Sequence, residues 1–453
     1  MRVIPLAEPP KPEPIQTPWT PQDALTKQEF LEKRRELIRE TNLDEIAASY
    51  GLTIKQDKTA LAVTFLACLN TYTNRHSLAV MFKAPSSTGK SYIPLQVVTL
   101  FPKEDIITLA GASATSFFHD QRQPVEEVVT KADGTPKLGK QGLPLKRVAY
   151  YLVNLERKVI VFVDMPDYKL LERLRAFVSK DQKTLDYQIT DRTASGSHRT
   201  KFIRLVGFST FIYCSAKQTA EDQENTRNLI LSPETTQDKL KEAIHLITTD
   251  ETDHQALQSL IETDPQRVCL RERIRAIRDA HIQEANLTPE DSKYLEEEFL
   301  RRHPHLLPRH CRDYPRVTAL AKGHALLNLW QRRKNPDDKV IQATRHDIDT
   351  ALNLYDSISE ANEIGLSPYL YNWYKQILLP FWEKTVFPDM RLIMRRHLEV
   401  YHEPLNRNTL QRDIMPALEA AALVSPETDS IDRRKTVYMP VKGTEGQTSL
   451  DGA

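Results

Sequence analysis

The segment APSSTGKS, residues 84–91, constrains this chain more than any other, because a short β-rich run, Leu78 to Phe82, leads into it and a helix-compatible run, YIPLQVVTLF, follows. Strand, loop and helix in that order are what a phosphate-binding loop requires. Such a loop needs backbone N–H groups converging on anionic oxygens, a flexible turn, a lysine for the β and γ phosphates and a hydroxyl for Mg2+. Pro85, Ser86, Ser87, Thr88 and Gly89 supply the turn, Lys90 the cation and Ser91 the hydroxyl, so ATP and Mg2+ are the expected ligands. The one departure from G-x-x-x-x-G-K-[ST] is Ala84 in place of the first glycine. Alanine is tolerated there if φ is negative and strained if it is positive.

Three more apolar, β-rich runs follow: DIITLAG at 105–111, KVIVFVD at 158–164 and GFSTFIYCSA at 207–216. Separated by longer polar or helical segments, they predict an α/β fold, with buried strands of a mainly parallel sheet covered by helices. A magnesium partner is expected at the end of a hydrophobic strand beside the loop, and VIVFVDMPD offers Asp164. Met165 stands next, where nucleotide hydrolases usually carry Glu. Asp167 is the candidate to stand in for that Glu and position water, the alternative being a turn Asp after Pro166.

At 453 residues the chain exceeds one ordinary domain, and two or three are expected. Sixty-two Lys and Arg against 61 Asp and Glu exclude a globally basic nucleic-acid binder, so any such contact has to come from local patches. The four cysteines lie far apart, which suggests neither a zinc ribbon nor a disulfide framework and points to a reducing, cytoplasmic setting. No run of about 18 apolar residues is present, so no membrane-spanning segment is expected.

Residues 1–22 carry seven prolines and read as a disordered leader. A helical stretch starts at Pro21, with Thr20 and Asn42 as N-cap candidates and Gly51 as its stop. Residues 131–147, dense in Gly, Pro and Lys, predict an exposed loop or hairpin tip. Residues 238–302 and 312–360 have helical periodicity. Between Asp164 and Ser215 two alternating runs, TLDYQIT and TKFIRLV, flank DRTASGSHR and predict a β-hairpin.

With these motifs placed, the chain resembles AAA+ ATPases of the pre-sensor-1 hairpin group, closest in layout to minichromosome-maintenance-like helicases of mobile genetic elements, over roughly residues 45–442. Beyond the loop the resemblance rests on RDYPRVTALAKGHALLNLWQRR and IQATRHDIDTALNL. These are similar to that family's lid helices, with an opening Arg, an A-x-x-H-A step and a T-x-x-D-x-x-x-A helix. The resemblance implies a P-loop AAA+ core with a parallel sheet over 23–235 including N-terminal helices, an all-helical lid region over 236–365, a linker helix and winged-helix domain over 366–442, and a disordered tail at 443–453.

The same resemblance implies site roles. Arg312 matches sensor 2, with Arg309 and Arg316 as rivals; Ser215 ends the sensor 1 strand and would orient water; Arg227 matches the arginine finger, which requires a neighbouring subunit. In the hairpin Lys183, Arg192, His198, Arg199 and Lys201 would grip single-stranded DNA in a central channel, since phosphates call for such charges. In the winged helix, a helix over 388–401, a turn through HEPLN and a second helix over 407–422 would place Arg407, Asn408, Thr409 and Arg412 toward duplex DNA. Arg433, Arg434 and Lys435 sit on the wing. The implied protein is a homo-oligomeric, hexameric ring that hydrolyses ATP and moves or unwinds DNA during replication of a mobile element. Two alternatives stay open: a nucleotide-dependent DNA-binding switch or initiator without translocation, and a noncatalytic winged-helix regulator.

Overall fold

The computed structural model describes residues 35–111, 123–131, 133–139, 141–178, 183–192, 198–217, 222–429 and 432–441. The expected leader and tail, the Thr20 cap and the hairpin tip at 193–197 lie outside the described residues.

Helix α1 (Leu43–Ser49) starts at Asn42, whose side chain accepts the Glu45 amide as expected of an N-cap, and it stops short of Gly51. Helix α2 (Lys58–Leu69) reads KTALAVTFLACL, with ten of its 12 residues buried. A helix that is apolar all round has to be covered all round. The covering begins with the strands.

In chain order these are β1 (Ala79–Lys83), β2 (Ile106–Leu109), β3 (Gln123–Val128), β4 (Lys146–Asn154), β5 (Val159–Phe162), β6 (Thr184–Arg192), β7 (His198–Val206), β8 (Thr210–Ser215) and β9 (Leu229–Leu231). Five of them form an all-parallel sheet in the order β2-β5-β8-β1-β9. Every residue of β1, β5, β8 and β9 is buried, which is why these strands read as unbroken apolar runs. The chain leaves β1 for the far edge at β2, returns through β5 and β8, then crosses to β9 on the other side of β1. Such a reversal leaves a crevice at the carboxyl ends of the strands.

The second sheet has the order β3-β4-β7-β6. Its β6/β7 pair is the expected hairpin, antiparallel from Thr184↔Val206 to Arg192↔His198. The segment 131–147 is the exposed end of the antiparallel β3/β4 pair, closed by bridges Thr130↔Pro136 and Leu138↔Pro144. Val153, Leu155, Ile203 and Leu205 of this sheet join the outer face of the parallel sheet and its helix α4 (Tyr168–Val178) in one apolar cluster.

Helix α3 (Tyr92–Val98) follows the 84–91 loop, and α5 (Asp222–Arg227) precedes β9. After β9 come α6 (Gln237–Thr252), α7 (His254–Thr263), α8 (Pro265–Asp279), α9 (Pro289–Arg302), α10 (His310–Leu327) and α11 (Arg345–Glu363); the region expected to be all-helical also holds a short parallel strand pair, Glu284–Asn286 with Val340–Gln342, whose three-residue strands are too short to show a period. The apolar residues of α2, of the inner sheet face and of α8, α10 and α11 form a single cluster, so the helical region shares the core of the sheet. Asn70, just past α2, donates to the Ala319 carbonyl of α10 at 2.8 Å. A Cβ at Gly323 would come 2.9 Å from the Asn70 amide nitrogen, so this close approach requires glycine.

The two family-like motifs of the helical region meet each other. Asp347 caps its own helix α11 by accepting from the Thr344 amide and hydroxyl, completing a capping box. The same carboxylate lies 2.6 Å from His324 Nδ1 and accepts from Arg332 at 2.6 and 2.8 Å. Burial alone would raise this carboxyl, but the His324, Arg332 and Thr344 hydrogen bonds win and hold it at about 2.

Residues 366–441 have their own core, built on Leu366, Trp373, Ile393, Leu410, Leu418 and Tyr438. Helix α12 (Pro368–Ile377) and the helix Met390–Tyr401 pack there, and Thr436–Pro440 pairs antiparallel with Val424–Thr428. The segment expected as one helix over 407–422 is a broken one: Arg407–Thr409 is α, Leu410–Ile414 is π and Met415–Ala420 is α again. Pro416 is the physical reason, since without an N–H it cannot donate into the preceding turn.

The Asp347 knot yields the first prediction. Asp347→Asn takes from buried Arg332 its buried anion, leaving only the exposed Glu40 carboxylate at 3.2 Å, and should cost about 3 kcal/mol in urea unfolding near pH 7. The folded carboxyl lies near 2 against an ordinary 3.8, so its stabilisation is complete above 3.8 and is lost as pH falls through 2. The gap between variant and wild type should narrow over that interval.

Candidate phosphate-loop site

Strand β1 delivers Lys83 to the start of the loop and α3 takes the chain away from it. Ala84 is fully buried and is not among the residues with positive φ, so the missing first glycine imposes no backbone strain. The left-handed positions fall instead at Ser87, φ 65°, and Gly89, φ 90°. A Cβ on Gly89 would meet nothing within 4 Å, so the loop is open there and φ alone demands glycine. Thr88 Oγ1 donates to the Pro85 carbonyl at 2.9 Å, and Lys90 Nζ reaches the same oxygen at 3.4 Å. This curls the lysine back over the loop.

The Asp164 end of β5 is two strands away from β1, with β8 between them. Phe162 pairs with Tyr213 and Lys83 with Ser215. Strand β5 ends at Phe162, and Asp164 lies two residues beyond it, in a bend at the same end of the sheet as Ser215. Asp164 is exposed and makes no hydrogen bond or ion pair with the described residues, and the Ser91 hydroxyl makes no hydrogen bond with them either. Cys214 links the two sides: its thiol, 3.5 Å from the Lys90 carbonyl, is pushed up to about 12 by burial, with the Lys90 charge opposing and the Asp164 charge reinforcing.

The other expected residues divide. Ser215 is buried at the end of β8 and donates to the Lys217 carbonyl at 3.3 Å. Asp167 accepts the Lys169 amide at 3.2 Å, and its carbonyl receives the Leu170 and Leu171 amides, so it caps α4, the turn role that its place after Pro166 suggested. Met165 packs against the outer cluster. Arg227 ends α5 and is half-buried. Arg312 is exposed and donates to Thr226 Oγ1, while its rivals Arg309 and Arg316 are buried on either side of Asp313. None of the three lines the cavity at the loop.

That cavity, of about 1160 Å3, runs from Ser87–Gly89 past Tyr92 and Gln96. Ile54, Leu240 and Ile247 give it an apolar flank, and Arg267, Arg271 and Arg275 of α8 a basic one. Arg267 is the buried member: it donates to Ser49 O, Thr53 Oγ1 and Thr99 Oγ1 and lies over the Tyr50 ring at 5.5 Å.

On the second sheet Lys183 pairs with Glu156 at 2.7 Å. Arg204 is held doubly by Asp186 at 2.7 and 2.8 Å and lies over Tyr150. Arg192, His198, Arg199 and Lys201 lie on β6 and β7, but their side chains lie outside the described residues. Arg407, Asn408, Thr409, Arg412, Arg433, Arg434 and Lys435 are all exposed, with Arg434 3.4 Å from Asp432.

Two features were not singled out in the sequence. Lys83 is fully buried at the end of β1 and donates to Asn225 Oδ1 at 2.7 Å, although a lysine closing the apolar run AVMFK was a visible sign. His303, His310 and Glu363 also cluster, with Glu363 Oε1 3.0 and 3.2 Å from the two rings. His310 Nδ1 accepts the Leu307 amide, so its proton is on Nε2, facing Glu363. With that nitrogen protonated, the cluster reads as an ion-paired clasp among α9, α10 and α11 rather than as a metal site.

No protein-family model and no curated protein matches this chain. Among the described residues no helix is long and apolar enough to cross a membrane.

Burial lowers the Lys83 ammonium from 10.5 to about 8. The unfolded chain therefore binds more protons between those values, and this group's contribution to stability rises with pH across that window. Wild-type protein should gain up to about 3 kcal/mol on Lys83→Met between pH 8 and 10.5, read from urea midpoints. A flat difference would contradict the buried-ammonium assignment.

Proposed function

We propose that this chain is the subunit of an ATP-hydrolysing, oligomeric AAA+ motor acting on DNA, of the kind that serves replication of mobile elements. One observation carries the reading: a loop with left-handed Ser87 and Gly89 follows a buried parallel strand and bears Lys90 and Ser91, while Asp164, which forms no ion pair with the described residues, lies two residues past the end of β5 in the same sheet. The order of the parallel strands supports a P-loop core. A helix–turn–helix followed by an antiparallel hairpin in 390–440 supports a winged helix.

In this reading the loop amides and Lys90 would hold the β and γ phosphates of ATP, and Ser91 and Asp164, whose side-chain oxygens have no partner among the described residues, would hold Mg2+. The metal would supply charge neutralisation on the phosphate oxygens. Ser215, paired with Lys83 at the end of β8, would orient water. Arg227 reaches a neighbouring subunit's site and stabilises charge that develops on the γ-phosphate. Ile54, Leu240 and Ile247 offer the apolar flank against which a base can lie. Phosphate contacts to DNA fall to the β6/β7 hairpin and to the exposed cations of the 407–412 helix and the 433–435 wing.

A second reading, a nucleotide-dependent switch that binds DNA without translocating, is favoured by one specific observation. Met165 holds the place of the usual Glu, and Asp167, the candidate to replace it, is engaged as a helix cap. Slow turnover follows from that.

Both readings meet in one assay, ATP hydrolysis with and without single-stranded DNA. The motor predicts DNA-stimulated turnover that falls by about a hundredfold or more in Lys90→Ala and Asp164→Ala. Tight ATP binding without stimulated turnover favours the switch, and an absence of nucleotide binding removes both.

A further inference from the structure

Helix α5, which ends in Arg227, has six residues, too few to be stable without outside help. The help comes from two directions. From α10, Arg309 donates to the carbonyl of Asn225 at 3.2 Å and Arg316 to that of Thr226 at 2.7 Å, with Arg312 on the Thr226 hydroxyl. These are the carbonyls a helix leaves unsatisfied at its C-terminal end, where cations are also favoured by the helix dipole. The two buried arginines are themselves fixed, since fully buried Asp313 accepts from Arg309 at 2.8 Å and from Arg316 at 2.5 Å. Arg309 further donates to Asn362 Oδ1, and Asn362 also brackets Ile230 of β9 through its amide and carbonyl.

From the other side comes Lys83. It is the residue immediately before the phosphate loop, its ammonium holds Asn225 Oδ1 at 2.7 Å, and its carbonyl accepts from Ser232 Oγ just beyond β9. Residues 225 and 226 are therefore held, as is Asn228, whose carbonyl accepts from Arg309 at 3.5 Å, and half-buried Arg227 lies between them. A contiguous polar path runs from the loop through Lys83 and Asn225 to the residue that would act in trans.

We infer that Lys83, Asn225, Arg309 and Arg316 are positioning residues that set where a subunit presents Arg227 to its neighbour, and that Lys83 ties this placement to the subunit's own phosphate loop. The inference rests on the proposed function, specifically on Arg227 working on the next subunit's nucleotide. It separates two consequences of losing Lys83. The subunit's own loop keeps its Lys90, Ser91 and Gly89, so it binds nucleotide; what fails is the service given to the neighbour.

The test is subunit mixing with full-length protein. Lys83→Met alone should bind a fluorescent ATP analogue within about threefold of wild type, with kcat at least tenfold lower and KM little changed, as expected when an interaction made in the transition state is lost. Lys90→Ala alone should be inactive but keep a well-placed Arg227. Mixed one to one, a quarter of head-to-tail interfaces pair an intact loop with an intact finger, so activity should return to about a quarter of wild type. Arg227→Ala mixed with Lys90→Ala is the control and should recover equally.

If the control pair recovers and the Lys83→Met pair does not, the coupling through Lys83 is wrong while the motor stands. If the control pair itself stays inactive although wild type hydrolyses ATP, the finger in trans falls and this inference falls with it. Asn225→Leu breaks the same link from the other side with a side chain of similar volume. It replaces Lys83→Met if that variant melts early, and it must complement Lys90→Ala in the same way for the inference to survive.

Discussion

Helix α2 is apolar on every side, and the rest of the larger unit is arranged to cover it. The sheet lies against one flank, α3 against another, and α10 and α11 close the remainder. Each fully buried Leu, Val or Phe side chain contributes about 1.5–3 kcal/mol, so a helix of this kind has no stable existence outside such a sandwich. Its few polar groups are satisfied locally: Thr64 donates to Ala60 O, and Ala67 O accepts from Thr210 of β8. Asn70 then reaches Ala319. The nucleotide-type loop and the helical region that follows the sheet are thereby joined through one intermediary.

The buried charges show how structural ions differ from those set aside for a ligand. Asp347 and Asp313 are both fully buried, and each faces two positively charged or imidazole partners with every oxygen engaged. Burial lowers the Arg316 guanidinium to about 10, with Asp313 working against the shift. In a low-dielectric interior this pairing is the condition for keeping such groups at all. Asp164, by contrast, is exposed and forms no ion pair with the described residues, so it keeps its charge through solvation rather than through a partner.

Much of the fold was legible because buried parallel strands leave apolar runs; β5 and β8 and the half-exposed β2 fall within segments read as strands, and β1 overruns its segment only by Lys83. The β6/β7 hairpin was legible from alternation, and the Asn42 cap from its position before LDEIAAS. What escaped notice is equally physical. Strand β9 has three residues, too few for a period to show. Strand β3, QPVEEV, is almost wholly exposed, so its apolar content carries no signal. The π-turn at Leu410–Ile414 came from one proline acting on a hydrogen bond, which patterning does not register. At the site, the loop residues were readable from spacing alone. The destinations of Arg309, Arg312 and Arg316 were not, because three arginines within eight residues are equivalent in sequence and only the packing of α10 distinguishes them. Lys83 was hidden for the opposite reason, as a single charge at the end of an apolar run.

The contact between Gly323 and Asn70 has a mechanical consequence. With no side chain between α10 and the end of α2, and with a common apolar interior on both sides of that contact, the sheet and the helices after it behave as one block. A swing of those helices away from the loop would have to tear the interior open. Further along, at Gly365, the backbone turns left-handed between the end of α11 and the separate interior of residues 366–441, and there the two units are joined by polar contacts, Tyr369 N to Ser232 Oγ and Lys375 to Glu360, rather than by a shared core.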